Sequence, residues 1–291
     1  MVKRKVGILG FGALGQHLYD SIVENEEVGK DLEVAWVWNR SSIALDRVPE
    51  SLRLGSVDDC ATRGADVVVE VSHPTISAKY ASAVMKAGAD FVVGSPTALA
   101  DGEVESLLRQ VANSEDGGAL YIPVGALWGA SDLQSAANRN LLASLTLTMK
   151  KHPAMLNLTD PEMNERREKL IEESKQGIEK GEVLLYEGPV RSLCPLAPNN
   201  VNTMACAALA CHSLGFDKTV GRLIADTSLT THEITIQAEG KPNPSTGQKF
   251  ELNVTRSSPA PVGAVTSKAT YGTFLESLLR ARGRGSGVHF V

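Results

Sequence analysis

Lys5-Val6-Gly7-Ile8-Leu9 runs directly into Gly10-Phe11-Gly12-Ala13-Leu14-Gly15, and this stretch decides how the first half of the chain folds. The first five residues form a short, mostly apolar run that suits a buried parallel strand. Beyond the glycines, Leu14, Leu18, Ile22 and Val23 recur at helical spacing. A G-x-G-x-x-G loop between a strand and a helix is the context in which this pattern binds a pyrophosphate. Gly10 makes the tight turn, Gly12 lets the backbone approach the phosphates, and Gly15 lets helix and strand pack closely. The helix start offers unpaired N–H groups and the positive end of its dipole. The candidate contacts are therefore Gly10, Phe11, Gly12, Ala13, Leu14 and Gly15; a plain glycine turn between two elements is the alternative.

Working outward, 32–38 (Leu-Glu-Val-Ala-Trp-Val-Trp) reads as a second strand and 65–71 as a third. A helix is expected over 76–87, ended by Gly88, then a strand over 90–93, a helix over 104–111 and a fifth strand over 119–124. Strands alternating with helices predict an α/β architecture, a Rossmann-type doubly wound parallel sheet. After about residue 125 the pattern changes. Residues 141–150 alternate, as a half-exposed antiparallel strand does. Asp160-Pro161 reads as a cap and first helical position, opening a charged surface helix towards Gly181. Its apolar residues Met163, Leu170, Ile171 and Ile178 make one narrow stripe, and Glu162–Arg166 and Glu165–Lys169 are the expected ion pairs. An alanine-rich helix over 202–213, strands over 221–226, 232–238 and 250–254, and a helix over 273–282 complete the reading; 282–287 reads as a loose tail. The expected division is a dinucleotide-binding domain over 1–125 and an α+β substrate domain with a mostly antiparallel sheet over 126–262. The C-terminal helix, within 263–291, is expected to pack back on the first.

The rim of the parallel sheet, where ligands bind in such folds, supplies further candidates. An NAD site usually has Asp or Glu after the second strand, on the ribose 2′-hydroxyl. Here that place holds Asn39-Arg40-Ser41. Arg40 is suited to pairing with a 2′-phosphate and Ser41 to donating to it, which favours NADP over NAD; a solvated loop arginine is the alternative. Ser72-His73-Pro74 follows the third strand, and His73 is either a ligand contact or a structural turn histidine.

Composition narrows the classes. The 291 residues are 43% hydrophobic and 22% charged, which argues against wholesale disorder. A net charge of −5 without a long basic run argues against nucleic acid. No stretch reaches the ~18 apolar residues of a membrane helix, and the first residues lack signal-peptide features. The four sparse cysteines form no C-x-x-C, so neither zinc nor a disulfide scaffold is supported and no metal is expected. A cytoplasmic protein is expected.

Val69-Glu70-Val71-Ser72-His73-Pro74, Pro123-Val124-Gly125-Ala126 with Asp132, Pro198-Asn199-Asn200-Val201-Asn202, and Ile224-Ala225-Asp226 with Thr231-His232-Glu233-Ile234 together resemble motifs of the L-aspartate dehydrogenase family, in particular its animal members. The resemblance runs over nearly the whole length, and the last two motifs are its most specific part. It implies an NAD(P)-dependent oxidoreductase that deaminates L-aspartate to iminoaspartate, then oxaloacetate and ammonium, with a role in NAD biosynthesis. It places catalysis in an interdomain cleft, His232 at the catalytic histidine, and Ala126 and Asn200 at contacts to the nicotinamide end. Asn39-Arg40 departs from the acidic residue of NAD-preferring members, and the charged segment 161–181 is longer than in the compact prokaryotic enzymes. From the residues alone, His232 shares the apolar face of its strand with Ile234 and Ile236, where a core histidine is the competing reading. Asn200 and Asn202 equally suit helix capping. Lys150, Lys151 and Arg191 are candidates for the substrate carboxylates or surface charges. A homodimer is expected from base rates. The rivals are another reductase of the same plan, resembling homoserine dehydrogenase or dihydrodipicolinate reductase, and a non-catalytic NADP-binding sensor.

Overall fold

Short β-branched runs punctuated by glycine and helix caps build the first half. The structure, a computed structural model, describes residues 2–177, 181–259 and 268–291. In chain order the first elements are β1 (Arg4–Leu9), α1 (Ala13–Glu24), α2 (Glu26–Asp31), β2 (Leu32–Trp38), β3 (Val67–Glu70), α3 (Pro74–Lys86), β4 (Asp90–Val93), α4 (Gly102–Ala112) and β5 (Leu120–Ile122). All four residues of β3 are buried, as expected of a parallel strand covered on both faces. Gly7 leaves room for the fully buried Trp36 of β2; a Cβ at Gly7 would collide with the indole ring.

The following elements are α5 (Ala130–Asn138), β6 (Leu142–Lys151), α6 (Pro161–Lys175), β7 (Glu182–Pro189), α7 (Val190–Leu193), α8 (Asn202–Ala210), α9 (Gly215–Lys218), β8 (Val220–Asp226), β9 (Thr231–Gly240) and β10 (Glu251–Pro259). They form a five-stranded sheet in the order β10-β9-β6-β8-β7. Only the β6–β8 pairing is parallel, so the sheet is mostly antiparallel, and β6 runs antiparallel to β9 alone. Strand β7 is absent from the sequence reading. It is an edge strand ending in Gly188-Pro189, and such breakers are tolerated where no further strand must pair.

Helix α6 begins as expected, with Asp160 accepting from the Met163 N–H at 2.8 Å. Among the described residues its expected ion pairs are not the ones formed. The Arg166 guanidinium donates to the carbonyls of Leu184 and Leu185 on β7, and the ion pairs are Arg167–Glu168 and Lys169–Glu173. Arginine here caps the unpaired backbone of an edge strand, a stronger demand than a solvated pair on one helix. Met163 and Leu170 are buried as the stripe implies; Ile178 lies outside the described residues.

The chain ends with α10 (Lys268–Arg280) and β11 (Val288–Phe290). Strand β11 pairs with β5, giving a six-stranded, wholly parallel sheet in the order β11-β5-β4-β3-β1-β2. The tail read as loose is therefore a turn feeding a strand, with Gly283, Gly285 and Gly287 all at positive φ. Phe274, Leu278, Ala281 and Val291 join the core built by Ile8, Leu18 and Ile22. Two compact units result, Met1–Pro123 with Tyr271–Val291, and Val124–Thr270. Among the described residues no helix is long and apolar enough to cross a membrane.

Candidate cofactor loop and active-site residues

In the first unit the strand order reverses at β1, so the loops after β1 and β3 flank the switch point at which such sheets take ligands. Gly10 sits at φ +110°, and a Cβ there would meet the Val71 carbonyl at 2.8 Å. A Cβ on Gly15 would collide with the carbonyl of Gly10. Gly12 is the opposite case: a Cβ would meet nothing within 4 Å, so the loop faces open space there. Gly12 is also the N-cap of α1 and supplies no capping side chain. The N–H groups of Ala13, Leu14 and Gly15, which have no intrahelical acceptor, are left to serve an anion. A cradle that is open only where a phosphate would lie fits a dinucleotide.

Phe11 has a different part. Its ring is buried edge-on against Tyr19, its N–H donates to Asn39 Oδ1 at 3.0 Å, and its carbonyl accepts from Gln16 Nε2 at 3.1 Å. Asn39 Nδ2 also donates to the Ser41 carbonyl at 3.0 Å, tying the glycine loop to the turn after β2. Arg40 and Ser41 are exposed beside it, and Arg40 has no ion pair or hydrogen bond among the described residues. Arg47, by contrast, pairs with Asp20 at 2.7 Å and lies over the rings of Phe11 and Tyr19.

The sequence reading missed what holds the rim together. Glu70, fully buried at the end of β3, accepts from the N–H groups of Ser72 (2.6 Å), His73 (2.8 Å) and Ser95 (3.0 Å) and from the hydroxyls of Ser77 (2.6 Å) and Ser95 (3.1 Å). Burial pushes its pKa up, against the pull of those donors. A charged residue closing an all-apolar strand was the available signal. His73 is the N-cap of α3, its Nδ1 accepting from the Thr75 N–H at 3.3 Å, and Pro74 is buried at the first helical position.

In the second unit His232, the second residue of β9, is buried, 7% exposed, with Nε2 3.0 Å from Met155 Sδ. Asn200 is buried too. Its Oδ1 accepts from the Asn157 N–H at 2.8 Å and its Nδ2 donates to the Met155 carbonyl at 3.1 Å. Asn200 thus staples the segment whose Met155 lies on the His232 ring, and it does not cap α8, whose N-cap is Val201. Ala126 lies in the turn whose Trp128 N–H donates back to its carbonyl at 3.1 Å, and Trp128 in turn lies under Arg256 of β10.

The three candidate cations separate cleanly. Arg191 engages Asp217 through two hydrogen bonds of 2.6 and 2.9 Å and lies over Phe216. Lys150 pairs with Glu182 at 2.5 Å. Lys151 is 4% exposed and has neither ion pair nor hydrogen bond among the described residues; burial pushes its pKa down to about 8. The four cysteines are buried, and burial raises their thiols to about 11 for Cys60 and about 12 for Cys194, Cys206 and Cys211, which suits packing rather than reactivity.

Comparison with known proteins matches both halves. Residues 10–123 match the family model "Homoserine dehydrogenase, NAD binding domain" and residues 132–277 match "Aspartate dehydrogenase, C-terminal". An aspartate dehydrogenase domain-containing protein of Xenopus tropicalis is 42% identical over 289 residues, 99% of this chain and 98% of its own. An L-aspartate dehydrogenase of Methanosarcina barkeri is 32% identical over 248 residues, 81% of this chain and 84% of its own. The crystal structure of an aspartate dehydrogenase from Thermotoga maritima shares the fold, with a TM-score of 0.64 at 19% identity, covering 97% of this chain and 98% of that one. With a nicotinamide-binding first half and these relatives along its length, the chain belongs to the aspartate dehydrogenase family.

Proposed function

We propose that the protein is an L-aspartate dehydrogenase that favours NADP, converting L-aspartate to iminoaspartate and then, with water, to oxaloacetate and ammonium, with the imine available to NAD biosynthesis. The observation that carries the reading is His232, buried at the start of β9 on a face shared with unpartnered cations, inside the segment matching the aspartate dehydrogenase model. The match over residues 10–123 concerns the cofactor half and does not select a substrate.

A bound NAD(P)⁺ supplies the acceptor for the substrate α-hydride. The residues of this chain do the rest. The N–H groups at the start of α1 bind the pyrophosphate, Glu70 fixes the rim beside it, and Ala126 and Asn200 are assigned to the nicotinamide end. His232 takes the proton released from the substrate amine or, as the free base, that of the water that attacks the imine, work suited to an imidazole near neutral pH. The Met155 segment, pinned by Asn200, holds the ring in place. The NADP preference rests on Arg40 and Ser41, exposed after β2 where an acidic residue would oppose a 2′-phosphate. A homodimer in the cytoplasm remains the expectation from base rates and composition.

The test is transfer of label. L-Aspartate deuterated at the α-carbon should deliver deuterium to the nicotinamide ring, with oxaloacetate and ammonium formed in equal amounts. Dinucleotide binding without label transfer would move the protein to the sensor reading.

A further inference from the structure

Sheet register sets a row of side chains across the buried face of the second unit. Residues paired across neighbouring strands point to the same face. Lys151 pairs with Ala225 of β8, and Ser258 of β10 pairs with His232. The β6–β9 register, Met149 with Ile234 and Lys150 with Glu233, continues to set Lys151 opposite His232. Arg256 pairs with Ile234, two residues along from His232 on the same face. Strand β9 lies between β6 and β10, so His232 has Lys151 on one side and Arg256 diagonally on the other.

Both cations lack an anion. Neither Lys151 nor Arg256 forms an ion pair or a hydrogen bond among the described residues. Arg256 lies 5.4 Å from the ring centroid of Trp128, which steadies the guanidinium while leaving its N–H groups unused. Burying a lysine without a counter-charge is a cost that a core avoids. Alternate strands lie about 10 Å apart, and both side chains are long enough to converge above β9.

We propose that Lys151 and Arg256 are the two arms of a dicarboxylate clamp, each receiving one carboxylate of a short dicarboxylic amino acid and setting its α-carbon beside His232. This rests on the dehydrogenase reading for the identity of the substrate, but the clamp itself is a binding site for any four-carbon dicarboxylate. The sequence candidates Lys150 and Arg191 are excluded from it by their partners Glu182 and Asp217.

The experiment is calorimetric titration of succinate, and of butyrate as the single-carboxylate control, into the full-length protein saturated with NADP⁺. The wild type should bind succinate more tightly than butyrate. Lys151→Met and Arg256→Leu should each weaken succinate binding by about 10- to 100-fold, the scale of a charge-assisted pair. Arg256→Lys should recover part of the loss, and Lys150→Met should lose nothing. NADP⁺ affinity should stay unchanged throughout, and thermal unfolding checks that each variant is folded. Succinate binding by both variants at wild-type strength would overturn the clamp and leave the dehydrogenase reading standing. So would absence of succinate binding to the wild type, or a loss of NADP⁺ affinity in place of succinate affinity. Loss of succinate binding in the variants of a protein that does not oxidise aspartate would keep the clamp and remove the reaction.

Discussion

The cofactor loop of the first unit and the His232 end of the second solve opposite problems. The loop is made of backbone. Gly10 and Gly15 are demanded by the close approach of carbonyls, Gly12 is left open, and the donors are peptide N–H groups. The charged group that organises its rim, Glu70, is satisfied five times over. The His232 end is made of side chains, and its cations Lys151 and Arg256 have no anion among the described residues. A site that grips a constant part of a cofactor can be completed within the protein. On the proposed reading, a site that recognises a charged substrate keeps opposite charges waiting, and the fold bears the cost.

That contrast can be broken most sharply at His232. His232→Ala should lower aspartate turnover by about 10²- to 10⁴-fold, the range of general acid–base loss, while leaving NADP⁺ affinity intact in an equilibrium titration. Glu70→Ala should do the reverse in kind. It strands the N–H groups of Ser72, His73 and Ser95, so denaturant unfolding should show a loss of about 3 kcal/mol or more, with weaker dinucleotide binding in whatever remains folded.

Lys151 offers a test of the idea that the second site is kept at the expense of stability. Its displacement from 10.5 to about 8 corresponds to about 3 kcal/mol against the charged form. The unfolded chain binds the proton more tightly, so this penalty is present in full below pH 8 and is relieved as pH rises from about 8 to 10.5. The ionisable group facing it across the sheet is His232 on β9, while β8 presents Ala225. Lys151→Met should therefore be more stable than the wild type by about 3 kcal/mol at pH 7, and the gain should shrink at pH 10. An equal or lower stability at pH 7 would mean that the lysine is not a buried cation. The smallest effect is expected at Arg40. Arg40→Asp should move the NADP⁺ to NAD⁺ affinity ratio towards NAD⁺ by roughly tenfold, as for loss of one exposed charge-assisted contact; an unchanged ratio would show that Arg40 does not read the 2′-phosphate.

The two ends also differ in how far they could be read from residues alone. The glycine loop is legible because backbone geometry dictates residue type at consecutive positions, and the strand and helix that must flank it lie next to it in sequence. The capping at Asp160 was legible for the same reason. The His232 end draws on β6, β9, β10 and the segment at 155–157; alternation along β6 puts Lys151, and not Lys150, on its apolar face, but only sheet register sets it opposite His232. Arg256 lies in none of the motifs and gave no signal. Edge strand β7 and terminal strand β11 were missed because their stability comes from neighbours: α6 covers one, and β5 receives the other. Arg166 shows the same effect, since its partners are carbonyls of a strand the pattern did not announce.

The most direct measurement is the initial rate of nicotinamide reduction with L-aspartate and NADP⁺, for the wild type and for His232→Ala shown to bind NADP⁺ equally well. The account predicts aspartate-dependent reduction in the wild type that falls by at least about 10² in the variant. Equal rates in the two proteins would contradict the role of His232, and a wild type that binds NADP⁺ but reduces none of it would contradict the dehydrogenase itself.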